Sequence, residues 1–252
     1  VAILIWGCVF CAIAALCIFL SSNYDREKRR YLILMESFAS LLLLMDAMAH
    51  IFSGYPGVPG SVMVCISSFL VFLLSDVFLL CFHIYVCVYL FSKKERRTLK
   101  RVKAGYVIAA AGAAFVVISQ FTHWYYYIDG DNCYHRAPLY IMSILLPAAG
   151  LLLDLTLLLQ YKKRVSRKLL FSMLSCVVLP AVAAAVQAFW YGMSLIEFSV
   201  GISMIIMFIV TMTEPNQEMY QLISREGKIK ERLEIATILN KCIAELISGE
   251  DE

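Results

Sequence analysis

Asp46, His50, Gln187 and Glu197 stand inside long apolar stretches, where a group that carries charge or hydrogen-bonds must have a reason to be there. A charged side chain in hydrocarbon is costly; where it persists it pairs, lines a wet space or meets a ligand. Counting 1.5 Å per residue along helices puts these four at one depth, in the outer third of the layer. With Trp190, and with His123, Trp124 and Tyr126 from the loop above, they are expected to line an outward-facing ligand pocket. A deeper set is Asp76 and His83, two turns apart on one helix face, with Asp154 on another helix. These could form an intramembrane polar relay; the plainer alternative for both sets is satisfied interhelical hydrogen bonding. Glu36 lies close enough to the opposite end to be expected to reach water. No catalytic constellation is visible: there is no Gly-rich phosphate loop, no H-E-x-x-H and no Ser/His/Asp set at a usable spacing. Cys8 and Cys11 have the i, i+3 spacing of a metal pair but no second pair of ligands, so no metal is expected. No cofactor is implied either, and with no lysine in any span a retinal Schiff base is excluded.

The elements that must hold these residues are seven apolar runs, at 1–21, 31–53, 61–92, 104–123, 138–160, 169–190 and 194–213. Each meets or approaches the roughly 20 residues a helix needs to cross a core about 30 Å thick. The Lys plus Arg content of the successive loops is four, zero, seven, one, five and zero. Basic loops are retained on the cytoplasmic side, so this alternation predicts an outside N-terminus and a cytoplasmic C-terminus. The expected fold is therefore all-α, a seven-helix transmembrane bundle in the plasma membrane over residues 1–213. Composition agrees: 61% of the 252 residues are hydrophobic, 16% are charged, and mean hydropathy is +0.77. The net charge of +3 does not point to nucleic acid, because the basic residues sit beside membrane ends, facing lipid headgroups. The chain opens within an apolar run at Val1 and closes on Ser248, Gly249 and three acids, which reads as a piece of something longer.

Proline and glycine punctuate the runs. Gly54, Pro56, Gly57, Pro59 and Gly60 predict a tight turn between the second and third runs. Pro147 and Pro180 lie inside the fifth and sixth, where each removes a backbone hydrogen bond and bends the helix. Ala109 to Ala114, with Gly112 among them, make the fourth run suited to close helix contact. The loop from Gln120 to Arg136 carries four consecutive aromatics, Trp124 to Tyr127, and then Asp129-Gly130-Asp131-Asn132. It reads as an interfacial hairpin over the bundle mouth, an anchor or a lid. Of the nine cysteines, Cys65 and Cys133 are the two that could meet on the outer side, either bridged or as free thiols.

After Glu214-Pro215, which should end or kink the last span, the character changes to a charged helix. Met219, Leu222, Glu226, Ile229, Leu233, Ala236, Asn240, Ile243 and Ile247 fall at alternating steps of three and four. That is a coiled-coil seam, with Asn240 at a position where a polar residue favours a parallel two-stranded register. Residues 214–252 are thus expected to be a cytoplasmic coiled-coil linker, pairing two copies of the chain through 217–247.

Two stretches now carry a resemblance. Trp124-Tyr-Tyr-Tyr-Ile-Asp129, Asn132-Cys-Tyr-His-Arg136 and Pro138-Leu-Tyr140 form the first; Leu151-Leu-Leu-Asp154, Tyr161-Lys-Lys-Arg164, Leu179-Pro180 and Gln187-Ala-Phe-Trp-Tyr-Gly192 form the second. They resemble the N-terminal seven-helix sensor region of signalling proteins from clostridia-like Firmicutes. The tail from Glu231 to Ser248 is similar to the helix that leads into their output domains. The resemblance implies a sensor that passes a signal from a small-molecule or lipid ligand to a cytoplasmic diguanylate cyclase (GGDEF) or histidine kinase domain. No catalytic residue is carried over, because none of those domains lies in this sequence. The rival reading is a secondary transporter or proton-coupled carrier using Asp46, Asp76, Asp154 and Glu197. G-protein-coupled receptors are a poor match: the third run ends Leu90-Phe-Ser-Lys93, without an Asp/Glu-Arg-Tyr motif.

Overall fold

The computed structural model describes residues 1–21, 25–189 and 194–248, leaving out the side chains of residues 188, 214–225, 228 and 237–248. Among the described residues, seven helices are long and apolar enough to cross a membrane, which makes this a multi-pass, all-α membrane protein. They are α1 (Ala2–Leu20), α2 (Arg26–Phe52), α3 (Val58–Leu90), α5 (Lys100–Thr122), α6 (Met142–Gln160), α7 (Arg167–Phe189) and the first part of α8 (Leu195–Ser248). A short helix, α4 (Lys93–Thr98), joins α3 to α5. The chain falls into two compact units, Val1–Val210 and Thr211–Glu252.

In the first unit α2 packs between α1 and α3, while α3 also touches α5 and α6, and α6 touches α7. Along the spans many large apolar side chains are left exposed, among them Trp6, Phe19, Val107, Phe121 and Phe171. Such a surface in water would be unstable; in hydrocarbon it costs nothing, and the buried faces are correspondingly the more polar ones. Buried Ser67, Ser68, Ser172, Ser175, Ser199 and Ser203 illustrate this. Most of them satisfy their hydroxyls on a backbone carbonyl three or four residues back, as Ser203 does on Ser199 at 2.8 Å.

The two ends of the bundle differ. At one end the basic loops gather and interlock: Arg96 donates to Glu27 at 2.9 Å, Lys28 sits 4.2 Å over the Tyr89 ring, and Arg164 donates to the Leu90 carbonyl at 2.8 Å. Ser92 and Glu95 close a reciprocal cap on α4. The amide and hydroxyl of Ser92 hold the Glu95 carboxyl below its ordinary range. At the other end a two-stranded antiparallel hairpin, β1 (Tyr126–Ile128) with β2 (Tyr134–Arg136), pairs Tyr126 with Arg136 and Ile128 with Tyr134.

Helix boundaries depart from expectation: α2 begins at Arg26, within the basic loop, α3 begins at Val58 and takes in Pro59 and Gly60, and the last span does not stop at Pro215. Pro215 lies within α8 and does not end it. A proline there removes one intrahelical hydrogen bond but leaves the remaining ladder to carry the helix on. The second unit is helical through Ser248. Of the proposed seam, Ile229, Leu233 and Ala236 are exposed on the single chain, as is Ile235 off the seam. Leu222, Asn240 and Ile243 lie outside the described side chains.

Candidate functional site: a cavity beneath the hairpin

The hairpin is held by its own turn and by three neighbouring elements. Asp129 accepts from the amides of Asp131 and Cys133, at 3.0 and 2.9 Å, and pairs with His135 Nε2 at 2.6 Å. These donors hold its carboxyl below the usual carboxylate range. Asn132 takes the left-handed conformation, φ 61°, which asparagine tolerates better than branched residues do. Its side chain donates to the carbonyl of Tyr55 at 2.9 Å, and the Gly54 amide returns a bond to the Asn132 carbonyl. The glycine-rich α2–α3 turn therefore clasps the hairpin tip. On the α5 side Tyr125 N–H donates to Ser119 Oγ, and the Tyr126 hydroxyl donates to Gln120. On the α7 side Arg136 donates to the Gln187 carbonyl at 3.2 Å and lies 4.4 Å over the Tyr140 ring. Tyr126 stacks between Phe72 and Tyr134.

Under this strap lies a cavity of about 740 Å³, within the size range of small-molecule sites. Asp46 and His50 of α2, Asp76 of α3, Gln187 of α7 and Glu197 of α8 all line it, with Tyr125, Tyr134, Arg136 and Tyr140 above them. Its lower walls are the aliphatic faces of α6 and α7, and both Pro147 and Pro180 are part of them. His50 Nε2 lies 2.7 Å from Ser194 Oγ and 3.8 Å from Asp46 Oδ1. Gln187 Oε1 accepts from the Ile196 amide at 2.9 Å and so fixes the start of α8. Asp46 and Glu197 are each 7% exposed, and Asp46 Oδ2 and Glu197 Oε2 have no hydrogen-bond partner in the structure.

The structure thus gathers Asp46, His50, Gln187 and Glu197, and it divides the other expected sets. His123, Trp124 and Tyr126 do not line the cavity. His123 is the left-handed cap of α5, φ 53°. Trp124 turns outward against Phe115, and Tyr126 is a buried element of the strap. Trp190 and Tyr191 lie outside the described residues. The loop residues that do reach the cavity are Tyr125, Tyr134 and Arg136. Tyr134 and Arg136 share one face of β2, as alternation along a strand requires, while Tyr125 precedes β1.

The expected trio of Asp76, His83 and Asp154 is also split. Asp76 faces the cavity, where its carboxyl sits over Gly112. His83 and Asp154 form a buried pair, His83 Nδ1 to Asp154 Oδ1 at 2.6 Å, with His83 Nε2 3.1 Å from the Val102 carbonyl; Asp154 Oδ2 has no hydrogen-bond partner in the structure. A carbonyl has no proton to give, so Nε2 carries one; a single proton then lies between Nδ1 and the carboxyl, and the pair is neutral overall. The void beside it is about 10 Å³, room for at most one water.

Two α5 glycines explain how α3 can carry ionisable groups here. A Cβ on Gly105 would fall on the His83 ring, and one on Gly112 would lie 2.7 Å from Asp76 Oδ1. Positions 76 and 83 are seven apart, as are 105 and 112, and the two helices run antiparallel. The heptad spacing of Gly105 and Gly112 was the available signal for this meeting.

Glu36 does not reach water. It is fully buried, and neither carboxyl oxygen has a geometric hydrogen-bond partner. The thiols of Cys11 on α1 and Cys176 on α7 are its polar neighbours. The rotation of α2 that turns Met35 and Ala39 into the core carries Glu36 inward with them. Cys65 and Cys133 are free thiols. Among the described residues no group of three or more His, Cys, Asp or Glu side chains is placed to hold a metal. Neither a family model nor a curated protein matches this chain.

Proposed function

We propose that the chain is the membrane-embedded input module of a dimeric signalling protein, in which a ligand held beneath the hairpin biases the bundle and residues 217–247 pass that bias to a cytoplasmic diguanylate cyclase or histidine kinase domain. The observation that carries this reading is the cavity itself. It is strapped on one side and lined by side chains from α2, α3, α6, α7 and α8. A ligand contacting that many helices distinguishes between bundle states by differential contacts, which a receptor requires. Glu197 stands in the first turn of α8, the element whose sequence continues to the seam residues. The clustering of Arg96, Arg164 and Lys28 at the end opposite the hairpin supports a hairpin outside and a cytoplasmic C-terminus. Exposed Ile229 and Leu233 support a helix that pairs in parallel with a second copy.

The test is disulfide crosslinking in membranes, in a Cys242→Ser background. Leu233→Cys is expected to join two chains efficiently, and Lys230→Cys poorly. A chain that stays monomeric at both positions overturns the dimeric relay. Deletion of 217–252 separates the remaining alternative: a carrier using Asp46, Asp76, Asp154 and Glu197 would go on moving substrate without that segment, whereas a sensor loses its output.

A further inference from the structure

We propose that the cavity binds a lipophilic amine, an apolar body with a protonated nitrogen, admitted sideways from the bilayer between α6 and α7. This rests on the reading of the cavity as a ligand site and deepens it by naming the ligand class. Three observations point the same way.

The first is charge. Asp46, Asp76 and Glu197 line the space together with one guanidinium, Arg136, and one imidazole, His50. Arg136 is engaged by the Gln187 carbonyl and the Tyr140 ring. Asp46 and Glu197 are more than nine-tenths buried and each keeps a carboxyl oxygen without a hydrogen-bond partner. A buried acid left so is a group that a cation would satisfy.

The second is hydrogen-bond polarity. The Ser75 hydroxyl donates to the Val71 carbonyl at 2.8 Å and Ser143 to the Tyr140 carbonyl at 2.7 Å. Their protons are spent on their own backbone, so both present acceptors to the cavity. Pro147 has no N–H, which leaves the Ser143 carbonyl without its usual helical donor. Ser75, Ser143 and the Ser143 carbonyl therefore offer acceptors on the α3 and α6 walls, which suits a ligand that brings donors there, as an ammonium does.

The third is the mouth. Leu152 of α6 and Val182 of α7 line the cavity and are also 61% and 58% exposed. Leu152 lies ten residues into α6, about 15 Å along it, near the middle of a core about 30 Å thick. The exposed rim at that depth is aliphatic, which suits passage of an apolar body from lipid. The carboxyls of α2, α3 and α8 then receive the head.

The test uses the whole chain in lipid nanodiscs and three probes of one shape: 1-adamantanamine, 1-adamantanol and 1-adamantanecarboxylate. Affinity is read by thermal shift and by titration. The amine should bind at least about tenfold more tightly than the alcohol, the gain expected of a charge-assisted contact in a desolvated site, and the carboxylate should bind least. Asp46→Asn, Asp76→Asn and Glu197→Gln, made singly so that one misfolded variant does not decide the matter, should lower amine affinity towards that of the alcohol, by a larger factor than they change the alcohol's own. Leu152→Trp and Val182→Trp should slow association of the amine while sparing the carboxyls. Equal or tighter binding of the alcohol or the carboxylate overturns the amine assignment and leaves the cavity standing as a ligand site. Binding of none of the three, together with no change in stability on filling the space by Ala184→Trp, overturns the cavity as a ligand site as well.

Discussion

At the scale of single residues, Gly105, Gly112, His83 and Asp154 do the most to decide how polar groups survive inside this bundle. Gly105→Ala places a methyl on the His83 ring, so either α5 withdraws or both His83 bonds are lost. A destabilisation of about 1–3 kcal/mol is expected from overpacking alone, read as a fall in melting temperature in a fixed detergent. Gly227→Ala, where a Cβ meets nothing, is the matched control and should be neutral or mildly stabilising. The buried pair gives a second prediction. Asp154→Leu alone strands His83 and should cost on the order of 3–5 kcal/mol. The double variant Asp154→Leu with His83→Phe should recover much of that loss, because no polar group is then left unpaired. A double-mutant cycle on thermal stability measures the difference; an additive result would show that the 2.6 Å contact contributes no coupling.

At the scale of elements, the hairpin is the part whose stability should depend on pH in a readable way. The amides of Cys133 and Asp131 and the His135 ring all donate to Asp129, and its pKa is lowered in the folded state. A depressed pKa contributes stability above the unfolded value, near 4 for an aspartate, which is lost as pH falls through the lower folded value. The protection factors of the Asp131 and Cys133 amides, exchange relative to the unfolded chain at the same pH, should therefore fall on acidification below about pH 4. Asp129→Asn should show the low protection already at neutral pH, with the dependence removed. Asn132→Val tests the other half of the turn: a β-branched residue at φ 61° is strained and loses the bond to Tyr55. It should raise exchange across β1 and β2 while leaving the α3–α5 glycine contacts intact.

At the scale of the whole molecule, the end carrying the hairpin and the end carrying the basic loops should respond oppositely to a membrane-impermeant thiol reagent. In a Cys65→Ser, Cys133→Ser background, Gly130→Cys is expected to label in intact cells and Lys163→Cys only after permeabilisation. The reverse pattern would overturn the proposed orientation and with it the assignment of the cavity to the outer side. The same two ends explain why a strapped cavity can coexist with a tight opposite end. Ion pairs such as Arg96–Glu27 sit where headgroups and water screen them, whereas the carboxyls of the cavity sit where screening is weak.

Seven helical spans, the hairpin and the common level of Asp46, His50, Gln187 and Glu197 along their helices were legible in the chain, because length, hydropathy and helical rise are local properties that each segment carries with it. What the chain could not show was rotation and register. Asp76 and His83 share one face of α3, yet one looks into a cavity and the other into a buried pair with Asp154, because α6 crosses that face between them. Glu36, near a helix end by count, is turned inward with the apolar face of α2. Tyr125, one residue before β1, reaches the cavity, whereas Tyr126 is taken up by stacking between Phe72 and Tyr134. In a bundle immersed in lipid, apolar residues are acceptable on either side of a helix, so hydrophobicity alone no longer says which face is buried. That choice is made by the small residues and polar contacts of neighbouring helices, such as Gly105 and Gly112 receiving His83 and Asp76, and it exists only once the helices have come together.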